Sequence, residues 1–301
     1  MWATDSEQEG RIEMAEPKRP TWRARWLGQK LRELRKNKDL SISEVAERLG
    51  NSPATVNRFE SGVYPIENDE LRLLMTMYGV SDQADRSQLM QLAQDVAQRG
   101  WWEGLVSNQN FADYVWAESN ASEIDSFQLT IYPGQIQAPE FAETLIRQGP
   151  ESRSKVEMEK LLEVRLTRGQ MLRKSNAPIA RFLLYEGVLR QRLNTFEARH
   201  YAAQFRHLLD VVEYPNVELR YLPLDTSVQA LGDVNAGFTV LKMKDEWPTL
   251  VQVETPVGAV VAETPDIDWA VAAFETLWNE GAQGERQTVD FVVKMLKEVE
   301  K

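Results

Sequence analysis

Residues 26–62 read WLGQKLRELRKNKDLSISEVAERLGNSPATVNRFESG, and this stretch decides the N-terminal fold. Leu27, Leu31 and Leu34 fall at i, i+4 and i+7, one face of a helix. Arg32, Lys36 and Lys38 project elsewhere. A second helix starts at Ser41 or Ser43, either of which suits an N-cap, and buries Val45 and Leu49 before ending at Gly50. A third opens with Ser52 as N-cap and Pro53 at the first helical position, where the missing N–H costs nothing. Its Val56 and Phe59 face a core, and it stops before Gly62.

Two short helices joined by a tight turn make a helix-turn-helix, whose second helix enters the DNA major groove N-terminus first. Ala46 and Gly50 are the small residues at the crossing and the turn. The outward residues of the second helix are Ser52, Pro53, Ala54, Thr55, Asn57, Arg58 and Ser61. Arg58 suits bidentate contact with guanine and Asn57 with adenine; Pro53 and Ala54 offer apolar contact, as to a thymine methyl. Ser43, Thr55 and the helix-start N–H groups suit phosphate, and Lys36 adds a sequence-independent phosphate contact. An ordinary helical hairpin with a solvated basic face is the bland alternative. The spacing of Ala46, Gly50, Val56 and Phe59, with the local charge, weighs against it.

The charge runs in blocks. Residues 1–17 carry −4, residues 18–62 carry +6 and residues 63–301 carry −13, within a net charge of −11. One basic module beside an acidic body points to a polyanion partner for that module alone. Residues 1–20 are polar and acidic, a disordered lead. Residues 21–99 form an all-helical DNA-binding domain, and residues 100–301 a larger mixed domain, so the fold class is α+β. Within the second domain, residues 100–175 mix helix with Gly/Pro turns. Strands are expected at Ile179–Leu184, Val217–Leu222, Phe238–Met243 and Leu250–Glu254, with helix at Thr195–Glu213 and from Asp268 to Val299.

Composition excludes much chemistry. There are no cysteines and only two histidines, His200 and His207, seven apart on one helix face. That removes disulfides, thiolate zinc sites and a cysteine nucleophile, and leaves no expected metal or cofactor. No Gly-rich phosphate loop or nucleophile elbow is present, so no enzymatic activity is expected. Glu123, Asp125, Glu186 and Glu254 are read by default as solvated carboxylates, with ligand anchoring as the alternative. Trp101, Trp102, Phe111, Tyr114 and Trp116 form an aromatic stretch near the domain junction. It is read first as packed core, and otherwise as the wall of a ligand pocket. No apolar run is long enough for a membrane span and no secretory signal precedes the domain, so a soluble cytoplasmic protein is expected.

Residues 26–80 resemble the phage-repressor-like (XRE/Cro-type) helix-turn-helix family. The resemblance implies that Arg35 on the first helix pairs with Glu60 at the end of the recognition helix. It departs from the family at Ile42, where Gln is frequent, and in the loop Val63–Glu67, which lacks a basic residue. The remainder resembles actinobacterial regulators of WhiJ type, also described as antitoxin-like, with a C-terminal domain of unknown function. The matching pieces are RGWW at Arg99–Trp102, EIDSFQLTIYPGQIQAPEFAETL at Glu123–Leu145, RLTRGQMLRKSNAPIARFLLYEGVLRQRL at Arg165–Leu193, QFRHLLDVVEYPNVELRYLP at Gln204–Pro223, GFTVL at Gly237–Leu241 and VQVET at Val251–Thr255. After Pro-Gly the family's Leu-Leu-Gln is here Gln135-Ile136-Gln137. The resemblance implies a transcriptional repressor or activator on double-stranded DNA. Phage-repressor-like modules work as dimers, so a homodimer on an inverted repeat is expected. The C-terminal domain would sense a small-molecule effector or hold a small partner protein. An antitoxin-like protein that neutralises such a partner is the alternative.

Overall fold

The computed structural model describes residues 20–97, 105, 109–149, 153–228, 230–244, 247–255, 258–265 and 267–301. The expected lead at 1–19 lies outside them. The chain divides into two compact units between residues 98 and 99.

Among the described residues the elements of the first unit are helices: α1 (Trp22–Asn37), α2 (Ile42–Leu49), α3 (Pro53–Glu60), α4 (Asn68–Met77) and α5 (Gln83–Ala97). Leu27, Leu31, Val45, Val56 and Phe59 are buried as their spacing predicts, each contributing roughly 1.5–3 kcal/mol; Leu49 is only half-buried. The two helices of the motif are set by their ends. Ser41, not Ser43, caps α2, and Gly50 leaves it in the left-handed region at φ 66°. Ser52 caps α3, its hydroxyl accepting from the Thr55 N–H. The tight crossing depends on Gly28 of α1, where a Cβ would sit 2.7 Å from the carbonyl oxygens of Phe59 and Glu60. Any side chain there would push α1 off the end of α3.

The second unit is built on one six-stranded sheet of order β3-β2-β1-β4-β5-β6. The strands are β1 (Ala121–Gln128), β2 (Ile179–Tyr185), β3 (Val217–Leu222), β4 (Phe238–Met243), β5 (Leu250–Thr255) and β6 (Gly258–Glu263). β1, β2 and β3 run parallel; β4, β5 and β6 continue antiparallel. Before β1 comes α6 (Gln109–Ser119); between β1 and β2 come α7 (Pro139–Arg147) and α8 (Lys155–Met171). The second crossover holds α9 (Glu186–Arg190) and α10 (Ala198–Val211). The short α11 (Ala230–Asp233) precedes β4, and α12 (Asp268–Thr276) and α13 (Glu285–Val299) follow β6. Phe127, Leu183, Val240 and Val251 of the sheet pack with Ala270, Phe274 and Leu277 in one apolar core. The protein is therefore α+β, a helical domain followed by a mixed domain.

Three expectations are corrected. Residues 100–175 are read above as helix mixed with Gly/Pro turns, yet they hold β1, an interior strand flanked by β2 and β4. Its polar Asp125 and Ser126 break the apolar pattern of a buried strand but are satisfied across the sheet. Arg181 donates to both Asp125 oxygens at 2.6 and 2.7 Å, and Ser126 pairs with Thr239 at 3.1 Å. Edge strand β6 also lies beyond the expected set. The C-terminal helix is not continuous: a π-helical turn at Leu277–Gly281 divides it, and α13 restarts at Glu285.

Candidate nucleic-acid interface

The lock of the motif is electrostatic. Arg35 Nε and Nη2 donate to the two Glu60 oxygens at 2.5 and 2.9 Å, and Nη1 donates to the Leu40 carbonyl at 2.7 Å. The side chains are only 10% and 5% exposed. The bond from Glu60 outweighs burial and raises the Arg35 pKa. One side chain thus ties the end of α1 to the turn before α2 and to the end of α3. This is the pairing that the family resemblance implied. Tyr78 is buried, and burial beside the Glu60 charge raises its phenol well above the ordinary value.

With Val56, Phe59 and Glu60 turned inward, α3 leaves Ser52, Pro53, Ala54, Asn57 and Arg58 exposed. These five expected contact residues share one helix face, and neither Asn57 nor Arg58 is committed to another side chain among the described residues. Thr55 is half-buried, its hydroxyl 2.9 Å from Ser52 Oγ. Ser61 is the C-cap, about 13 Å along the axis from Ser52 at 1.5 Å per residue. Its hydroxyl donates to the Arg58 carbonyl at 3.1 Å, so it is occupied, at the end of α3 opposite Ser52. Lys36 is exposed on α1 and Ser43 on α2.

The two helix starts differ. At α2, Ser41 N–H and Oγ both donate to Glu44 Oε2 at 2.7 Å, and Ser41 Oγ accepts from the Glu44 N–H at 3.2 Å. The Ser41 hydroxyl and backbone hold the Glu44 carboxyl below its ordinary pKa. A carboxylate therefore already occupies the positive end of α2, where a phosphate would be repelled. The motif Ser41-x-x-Glu44 carries the signal that separates Ser41 from Ser43 as the cap. At α3 the cap is the same hydroxyl with no acid in the first turn.

In the second unit, Tyr114 and Trp116 are buried in α6, Phe111 is half-buried, and Trp101 and Trp102 lie outside the described residues. Tyr114 stacks under the Arg168 guanidinium at 5.3 Å. The carboxylates expected to be solvated are mostly engaged. Asp125 is buried against Arg181, Glu123 pairs with Lys242 at 2.5 Å, and Glu186 is buried, accepting from Arg190 at 2.5 Å and from the Leu224 N–H at 3.0 Å. Only Glu254 is exposed. His200 accepts from the Glu197 N–H at the start of α10. His207 is held below its ordinary pKa by burial and by Arg173. No group of three or more metal-ligating side chains gathers among the described residues, and no described helix is long and apolar enough to cross a membrane.

Residues 26–89 match the helix-turn-helix domain family, and residues 111–294 match the domain of unknown function DUF5753. No curated protein and no solved structure matches the chain.

Proposed function

The chain belongs to the DUF5753 family, and we propose that it is a sequence-specific transcriptional regulator of the WhiJ-like, XRE type acting on double-stranded DNA. The helix-turn-helix domain suggests a DNA-binding regulator in general terms. The observation that carries the specific reading is the exposed face of α3. Asn57 and Arg58 stand free beside a helix start without an acid, while Arg35–Glu60 fixes that helix from behind. Arg58 suits guanine and Asn57 adenine in the major groove.

One module of this size offers few base contacts. Two copies on half-sites one helical turn apart would double them, so the reading includes a homodimer on an inverted repeat in the cytoplasm. The C-terminal unit is read as the sensor of an effector and not as an enzyme. The −13 balance of residues 63–301 favours one second reading, a basic small protein held there as by an antitoxin.

The test is DNA affinity against salt. Release of counterions from each phosphate contact gives a log–log slope near −0.9 per contact. A steep fall in affinity with salt supports the reading. A flat response would sink it.

A further inference from the structure

Two segments quoted from the sequence, PGQIQ at 133–137 and RLTRG at 165–169, meet in the second unit. The turn Gly134–Ile136 packs on α8, and a Cβ on Gly134 would lie 2.9 Å from Arg165 Cδ and 3.0 Å from Arg168 Nη1. Two guanidinium groups therefore sit side by side under one turn. Their charges are compensated unequally.

Arg168 is ion-paired. Its Nε donates to Glu118 Oε2 at 2.7 Å and its Nη2 to Glu118 Oε1 at 2.9 Å, and its plane lies over Tyr114 and Phe111. Gln135 also donates to Glu118, so that carboxylate accepts three bonds, and Gln135 Oε1 is buried with no hydrogen-bond partner among the described residues. Among the described residues Arg165 has one hydrogen bond, from Nη1 to Gln137 Oε1 at 2.8 Å, and no ion pair. Gln137 is itself oriented, since its amide donates to the Tyr132 carbonyl at 2.6 Å. Glu254 lies near enough to favour the Arg165 charge but not to pair with it. Burial and the adjacent Arg168 push Arg165 down to about 10. The group is thus oriented by one bond and half-buried, and no described residue accepts from its Nε–Nη2 edge.

We propose that Arg165 anchors the oxyanion group, carboxylate or phosphate, of a small molecule bound by the C-terminal unit. The free edge of the guanidinium is the fork that such a group accepts from in bidentate fashion. The bound charge would complete the pairing that Glu118 provides for Arg168 alone. The proposal deepens, and for its biological use rests on, the reading of this unit as a sensor.

The experiment uses the full chain, with sodium phosphate and sodium citrate as probes against sodium chloride at constant ionic strength. Thermal unfolding is followed for the wild type, Arg165→Gln and Arg147→Gln, an exposed control on α7. Either probe is expected to raise the wild-type and Arg147→Gln midpoints by about 2–4 °C. Arg165→Gln is expected to show a smaller rise, limited to what anion exclusion gives any protein. A response to one probe alone tells phosphate from carboxylate. No rise in the wild type, or an undiminished rise in Arg165→Gln, overturns the proposal. If Arg165→Gln does not fold, Arg165→Lys keeps the charge without the fork and is expected to lose most of the rise; full retention overturns it equally. DNA binding of the same variants in phosphate-free buffer is expected to match the wild type, so failure of the anion site and failure of DNA recognition are read apart.

Discussion

The starts of α2 and α3 use the same device and reach opposite ends. Both are capped by a serine hydroxyl accepting an N–H three residues on, Ser41 for α2 and Ser52 for α3. At α2 the third residue is Glu44, which closes the box with a carboxylate. At α3 it is Thr55, neutral, behind Pro53 and Ala54. One positive helix end already holds a carboxylate, Glu44, and the other has no acid in its first turn.

That contrast can be broken at several points, the strongest being the lock behind both helices. Glu60→Gln keeps the side-chain volume but leaves Arg35 buried without its carboxylate. It is expected to destabilise the N-terminal unit by ~3–5 kcal/mol, the usual cost of orphaning one member of a buried pair. Urea unfolding followed through the buried Trp26 would measure this; a loss near zero would mean that the pair does not hold the motif. Next comes the reading face. Arg58→Ala is expected to cost ~1–3 kcal/mol in operator binding and to relax preference at one base pair. Competition between operator variants checks it.

The caps themselves sharpen the comparison. Ser41→Ala and Ser52→Ala are each expected to lower stability by about 1 kcal/mol. Only Ser52→Ala should also weaken DNA binding when affinities are measured well below the unfolding temperature. Equal losses of affinity would show that the two helix starts do not differ in use. Lys36→Ala should weaken all sequences alike and reduce the salt slope by about 1. The smallest effect is expected from Glu44→Gln, which keeps an acceptor for the Ser41 cap but removes its charge. Binding should tighten on every sequence without any change of base preference, as measured by titrating unrelated duplexes.

These cases also show why some features were legible in the sequence and others were not. Helix starts are local. Ser52-Pro53 and Ser41-x-x-Glu44 lie within four residues, and the apolar spacing of Leu27, Leu31, Val56 and Phe59 needs no partner to be read. The strands Val217–Leu222 and Phe238–Met243 were equally plain, being largely apolar and bounded by turns. β1 was not, because Asp125 looks like a surface residue until Arg181, 56 positions away, is seen beside it. The same holds for Glu118 and Arg168, 50 positions apart. Within the candidate interface, Ser52, Pro53, Ala54, Asn57, Arg58 and Ser61 are all exposed, while the Ser52 hydroxyl caps the start of α3 and the Ser61 hydroxyl donates to the Arg58 carbonyl at its end.

The central claim is that α3 reads bases through Arg58. The most direct test is to expose the wild-type chain and Arg58→Ala in parallel to a random-sequence duplex pool and to sequence what each retains. The wild type is expected to enrich an inverted repeat, and Arg58→Ala the same repeat with its preference lost at one symmetric position. An identical motif from both proteins would contradict the placement of Arg58 in the groove.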